Sequence, residues 1–277
     1  MKLSDQSISN SLKSGDIAIL GIPFDDNSSF MRGPASGPAE IRKQLHCGSA
    51  NYFAEDGSDL ENNGRVHDLG DVDFRKPIDW LTAIEQSAEA ILLQDAKLLS
   101  LGGDHSVTWP LIRAHAKKHP KLTILQIDAH PDLYDELDGN RHAHACPFAR
   151  IMEEGLVDRL VQIGIRTLNK HQREQAARFG VEIIEMKDWS PEKLPVFDSP
   201  LYLTLDLDGL DPAYAPGVSH HEPGGFSTRE VIRIIQNLPP VLIGADIVEL
   251  NPVRDPIGIT AMLGSKLLRE VAAKMLL

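Results

Sequence analysis

Short apolar runs recur along the chain, and each is followed by a longer stretch with helical spacing. The runs are "IAILGI" (17–22), "RVHDLG" (65–70), "KLLSLG" (97–102), "LTILQI" (122–127), "RLVQIG" (159–164), "VEIIE" (181–185), "LYLTLDL" (201–207) and "VLIGADIV" (241–248). Most are continuously apolar rather than alternating, as expected of strands covered by helices on both faces. Between them lie helix-like segments at 37–45, 78–94, 107–119, 146–155, 169–180 and 227–238, and a last one at 260–277 closes the chain. Strand and helix in turn predict an α/β fold, a three-layer α/β/α arrangement around an eight-stranded parallel sheet. No linker, repeat or low-complexity tract interrupts it, so residues 1–277 are expected to form a single domain. Stretches rich in Gly and Pro at 31–38 and 209–225 predict long ordered loops, the kind that carry sites.

Composition narrows the function classes. A chain of 277 residues with 42% hydrophobic and 25% charged content is ordinary for a globular protein. Its net charge of −12 argues against nucleic acid or an anionic membrane as partner and is compatible with a small cationic substrate. Cys47 and Cys146 are too few and too far apart for a disulfide framework or a cysteine metal motif. The N-terminal "MKLSDQSISNSLKSGD" has no apolar core, and no apolar run reaches membrane-spanning length. A cytoplasmic protein is the expectation.

In such folds ligands bind beyond the carboxyl ends of the strands, near a point where strand order reverses. The residues there are acidic residues and histidines. Asp104 and His105 follow "LLSLGG", and Asp128, His130 and Asp132 follow "LTILQI". Asp206, Asp208 and Asp211 come with "LYLTLDLDGLD", and Asp246 and Glu249 with "IGADIVELNP". Crowded carboxylates at the edge of a core are costly unless something positive offsets them. Alternate residues of an extended segment point to one side, so Asp128, His130 and Asp132 can converge, as can Asp206 and Asp208. Two imidazoles and four carboxylates are too many ligands for one tetrahedral zinc. They suit two octahedral-leaning divalent ions, and the oxygen-rich set favours two Mn2+. Two such ions can share a water and activate it near neutral pH.

"GGDHS", "DAHPD" and "DLDGLDPAYAPG" resemble the metal-binding signatures of the ureohydrolases, the arginase/agmatinase superfamily. The resemblance runs from "GIPFDDNSSFMRGPASGPAEIR" to the end and is strongest in wording to plant-type arginases and agmatinases. It implies an eight-stranded parallel sheet and a binuclear manganese hydrolase that cleaves a guanidino group to urea and an amine. It places His105, Asp128, Asp132 and Asp206 on one ion and Asp128, His130, Asp206 and Asp208 on the other, with Asp128 and Asp206 bridging. It matches His144 to the family's catalytic histidine and Glu249 to the glutamate that pairs with the guanidinium. Asp132 would accept the water's proton. His142, His220 and His221 read as loop or supporting residues. The resemblance also implies a homotrimer or homohexamer.

The resemblance also implies that the loop at 133–143, together with loops near 166–170 and 216–225, reads the substrate's tail, with Asp135 and Asn140 as candidate contacts. Asp135, Glu136 and Asp138 suit a free ammonium, which leans toward agmatine, with arginine as the alternative. Guanidinobutyrate and formimidoylglutamate are further options; the latter would need cationic partners, for which Arg141 and Arg166 are the candidates. A zinc-dependent amide hydrolase of the deacetylase type is the reading from a different class, but it would not need the paired-metal set. A non-catalytic scaffold would not need His144 or Glu249.

Overall fold

The computed structural model describes residues 12–75 and 77–277; residues 1–11, part of the polar N-terminal segment, lie outside the described residues. Each of the eight apolar runs forms a strand. These are β1 (Ile17–Gly21), β2 (Val66–Asp71), β3 (Lys97–Leu101), β4 (Thr123–Ile127), β5 (Arg159–Ile165), β6 (Glu182–Glu185), β7 (Leu201–Asp206) and β8 (Leu242–Val248). They pair in parallel in the order β2-β1-β3-β8-β7-β4-β5-β6.

The helices divide between the two faces. Helices α1 (Gly37–Leu45), α6 (Thr228–Asn237) and α7 (Ile259–Met275) cover one face, where Ile41, Ile235 and Leu267 pack against Leu99, Leu125 and Leu203. Helices α2 (Trp80–Leu92), α3 (Thr108–Lys118), α4 (Pro147–Glu153) and α5 (Lys170–Phe179) cover the other, where Ile84, Leu111 and Phe148 meet Leu98, Ile124 and Tyr202. Local chemistry sets the helix starts. The Asp79 carboxylate accepts the N–H of Thr82, and Asn169–Gln172 and Ser227–Glu230 form reciprocal capping boxes. Among the described residues no helix is long and apolar enough to cross a membrane.

Strand order is what positions the site. From β3 the chain crosses to β4, builds outward through β5 and β6, and returns to lay β7 and β8 into the gap. β3, β8, β7 and β4 thus lie side by side. Their register puts Leu101 beside Ile247, Asp206 beside Val248, and Ile127 beside Leu205. All four strands end at one level, so the residues that follow them emerge along a single edge.

Candidate metal centre and active site

His105 leaves β3 in a one-turn 3-10 segment capped by Asp104, which accepts the Ser106 N–H at 3.1 Å. Its ring is fully buried, with Nε2 2.9 Å from Thr204 Oγ1. Nδ1 faces three carboxylate oxygens, 3.1 Å from Asp128 Oδ2, 3.1 Å from Asp132 Oδ2 and 3.2 Å from Asp206 Oδ2. His130 Nδ1 lies 3.0 Å from Asp208 Oδ2 and 3.5 Å from Asp128 Oδ1.

This convergence does not arise from strand alternation, which corrects the sequence expectation. β4 ends at Ile127, so Asp128, His130 and Asp132 all lie in the loop beyond it. Asp132 adopts φ 48°, left-handed backbone that few non-glycine residues occupy. Asp208 sits in a 3-10 turn, Leu207–Gly209. Turn hydrogen bonds aim the carboxylates: His130 N–H donates to Asp128 Oδ1 at 2.6 Å, and Asp208 N–H to Asp206 Oδ1 at 2.8 Å. The two ligand loops press together so closely that a Cβ on Gly209 would stand 2.9 Å from the Asp128 nitrogen.

The donor set fits two divalent cations. His105, Asp128 and Asp132 form one group of ligand atoms within 4.8 Å of one another, and Asp128, His130 and Asp208 form a second, so Asp128 is shared. His105 Nδ1 is buried and makes no directed hydrogen bond to any of the oxygens around it, as suits a lone pair meant for a metal. Electrostatics agree. Burial, with Asp208 and Asp128 alongside, pushes the Asp206 carboxyl well above the usual carboxylate range. Burial and Asp128 raise Asp132 to about 6. Burial works against charge on His105 and His130, yet the carboxylates outweigh it and lift both well above an ordinary histidine. Without cations this cluster would hold protons in their place.

Above the cluster, His144 Nδ1 lies 2.7 Å from Glu249 Oε1, and its Nε2 lies 2.8 Å from Ser29 Oγ. Burial opposes a charged His144, but the Glu249 carboxylate, helped by Asp104 and Asp132, raises it to about 9. Glu249 Oε1 also accepts the His105 N–H at 2.8 Å. Burial opposes ionisation of Glu249, and His144 overcomes it, so the carboxyl stays below its usual range. A cavity of about 280 Å³ opens over these groups, lined by His130, Asp132, Asp206, Asp208, His144 and Glu249. Ser29, Tyr134, Leu137, Thr167, Gln172, His220 and Glu222 also line it.

Asp135 and Asn140, expected at the substrate's tail, are placed differently, since neither lines the cavity. Asp135 Oδ1 is held by Arg141 at 2.7 Å and by the buried Arg150 at 2.9 Å. Asn140 Oδ1 accepts the His142 N–H, bracing its own loop. Arg166 is likewise committed, donating to the carbonyls of Gly164, Asp208, Gly209, Leu210 and Glu222. Other residues gain weight. His220 lies between His130, which it meets edge-on at a ring distance of 5.7 Å, and His144, to which it is tilted at 5.2 Å. A polar layer lies beneath the ligands: Gln126 Nε2 donates to Asp128 Oδ2 at 2.6 Å, and Gln162 Nε2 donates to Gln126 Oε1 at 2.6 Å. Thr108 and Tyr202 donate to the buried Asp246. The signal for this layer is a single polar residue inside an otherwise apolar strand.

The fold and ligand pattern meet an independent match: residues 15–273 fit the model of the arginase family. The chain belongs to the arginase family. It is 44% identical over 276 residues to "Arginase 1, mitochondrial" of Arabidopsis thaliana, covering 93% of this chain and 80% of that protein. It is 34% identical to "Agmatinase, mitochondrial" of Gallus gallus, covering 92% of this chain and 80% of the relative. Among solved structures, the arginase from Medicago truncatula superposes with a TM-score of 0.89 at 40% identity, covering 97% of this chain and 91% of that one. As an arginase-family protein the chain is a metal-dependent hydrolase of guanidino C–N bonds. The cytoplasmic expectation is corrected here, because these relatives are named as mitochondrial proteins. A missing apolar core speaks against secretion alone; organelle-directing segments are amphipathic and basic rather than apolar, so the criterion was blind to them.

Proposed function

We propose that this protein is an arginase, a binuclear manganese enzyme that hydrolyses arginine to ornithine and urea. The observation that carries the choice of substrate is the cavity lining apart from the metal-binding cluster and the His144–Glu249 pair. Among the described residues it presents one carboxylate, Glu222, beside the uncharged polar groups of Tyr134 and Gln172, while the Thr167 hydroxyl already donates to the Ala129 carbonyl. A carboxylate suits the α-ammonium of arginine, and neutral donors suit its α-carboxylate. Agmatine would leave those donors unused, and the charge argument for it loses its footing because Asp135 is occupied by Arg141 and Arg150. Among the described residues no arginine or lysine lines the cavity, which disfavours the dicarboxylate formimidoylglutamate. The higher identity to the Arabidopsis arginase than to the Gallus agmatinase supports the same reading.

The ions, held by His105, Asp128, His130, Asp132, Asp206 and Asp208, would supply the Lewis acidity that activates a water near neutral pH. The protein's own groups do the rest. Glu249 keeps Oε1 on His105 and His144 and has Oε2 to receive a guanidinium N–H, which fixes the planar group over the cluster. Asp132, which lines the cavity beside the cluster, can take the water's proton as the C–O bond forms. His144, raised to about 9, carries a proton at neutral pH for the amine that departs as the C–N bond breaks.

A urea-release assay with Mn2+ across arginine, agmatine and guanidinobutyrate tests this. Arginine should give the highest kcat/KM; a higher value for agmatine would make the protein an agmatinase. The same reading includes a homotrimer or homohexamer, which sedimentation of the metal-loaded protein would reveal.

A further inference from the structure

Ser29 belongs to the 25–33 loop after β1, far in sequence from any metal ligand, yet its hydroxyl stands 2.8 Å from His144 Nε2. The loop is built to put it there. Asn27 is gripped three ways: its N–H donates to Asp104 Oδ2 at 3.1 Å, its Nδ2 to Ser106 Oγ at 3.1 Å, and its carbonyl accepts the His144 N–H at 3.0 Å. Beyond Ser29, the Met31 carbonyl accepts from Ser219 Oγ and Asn251 Nδ2, both at 2.9 Å. Gly33, with φ 153°, then passes so close to Asn251 that a Cβ would fall 2.1 Å from its Oδ1. Ser29 is therefore tied on both sides, to the exits of β3 and β8.

We infer that Ser29 is the positioning residue of the His144 proton shuttle. Glu249 holds Nδ1, and Ser29 holds the opposite corner of the ring. A hydroxyl is suited to this because it both donates and accepts. It accepts from Nε2–H when the ring is protonated and, once that proton has passed from Nε2 to the nitrogen of the departing amine, rotates and donates to the bare Nε2. The imidazole keeps one orientation through both halves of the cycle, and that orientation is what a proton transfer within hydrogen-bond reach requires. Ser29 also lines the cavity, so the same hydroxyl faces the space a substrate would fill.

The inference rests on the guanidino-hydrolase reading, so the wild-type holoenzyme must first release urea from one of the three substrates; failure there sinks that reading and says nothing against Ser29. Given activity, Ser29→Ala should lower kcat about 10- to 100-fold while KM, metal content and melting temperature hold. Ser29→Thr, which restores the hydroxyl, should recover most of it. In a His144→Ala background the Ser29→Ala change should have no further effect, since its role passes through the ring. The 15N NMR signals of the His144 imidazole, read on protein loaded with a diamagnetic divalent ion such as Zn2+ in place of paramagnetic Mn2+, give a readout apart from turnover, and Ser29→Ala should shift the Nε2 resonance. Wild-type kcat in Ser29→Ala, an equal loss with and without His144, or an unmoved Nε2 signal would each overturn the proposal.

Discussion

Glu249 does two things with one carboxylate, and its backbone shows the strain of it. Its φ of 65° is left-handed, as is the 48° of Asp132, and both residues face the cavity. Non-glycine residues persist in that region only where surrounding contacts over-determine them. Here the contacts are the Gly103 carbonyl on the Glu249 N–H, and the His105 N–H and His144 ring on Oε1. Glu249→Gln keeps the shape and an acceptor oxygen but loses the charge that pairs with a guanidinium. Bound metal should stay at the wild-type level, and kcat/KM for arginine should fall at least about 100-fold. Metal analysis beside steady-state kinetics separates the two effects; undiminished turnover would remove Glu249 from substrate recognition.

Among the elements, the exits of β3, β4 and β7 carry the candidate ligands and that of β8 carries Glu249, while the helices seal the two faces of the sheet. Helix α6 shows how separable these are. Its capping box joins the Ser227 hydroxyl to the Glu230 N–H and the Glu230 carboxylate to the Ser227 N–H, satisfying donors the helix start would otherwise leave unpaired. Its buried Val231, Ile232, Ile234 and Ile235 then seal one face of the sheet. Ser227→Ala should cost about 1 kcal/mol of unfolding free energy with no change in the kinetics of urea release. Urea denaturation with a parallel assay checks it; a loss of activity at full folded population would mean that α6 reaches the site. The central strands behave otherwise, because their inward polar residues Gln126, Thr204 and Asp246 are spent on the ligands or beside them.

For the whole molecule, the cations and the fold are linked through protons. Without metal, Asp206, His105 and His130 have folded-state pKa values well above their ordinary ones, and Asp132 sits at about 6. A raised folded-state pKa stabilises the fold at low pH, and that contribution disappears as pH climbs through the raised value. For Asp132 the loss falls between the ordinary carboxylate range and about pH 6. Metal needs the same ligands deprotonated, so its affinity rises over the same range. The increase in melting temperature on adding Mn2+ should therefore be larger near pH 8 than near pH 5. Thermal melts with Mn2+ and with chelator at both pH values measure it, and the opposite order would contradict the assigned cluster.

The number and chain order of the elements, and the acidic residues and histidines that gather at the strand exits, are legible in the sequence because they depend on local properties. Apolar runs bounded by turns reveal buried strands, and Asp and His at their ends reveal what cannot be buried without a cation. Three things are not legible there. β7 and β8 fill the middle of the sheet, which follows from how the chain closes on itself rather than from any one segment. The carboxylates converge through turns and left-handed backbone at Asp132 and Glu249, not through strand periodicity. And whether an acidic residue faces substrate or a neighbour depends on partners distant in the chain. Asp135, expected at the substrate's tail, is held by Arg150, whereas Ser29, which no motif singled out, meets His144, 115 positions away. Residue type and spacing set which chemistry is available; only long-range packing decides which groups share a cavity.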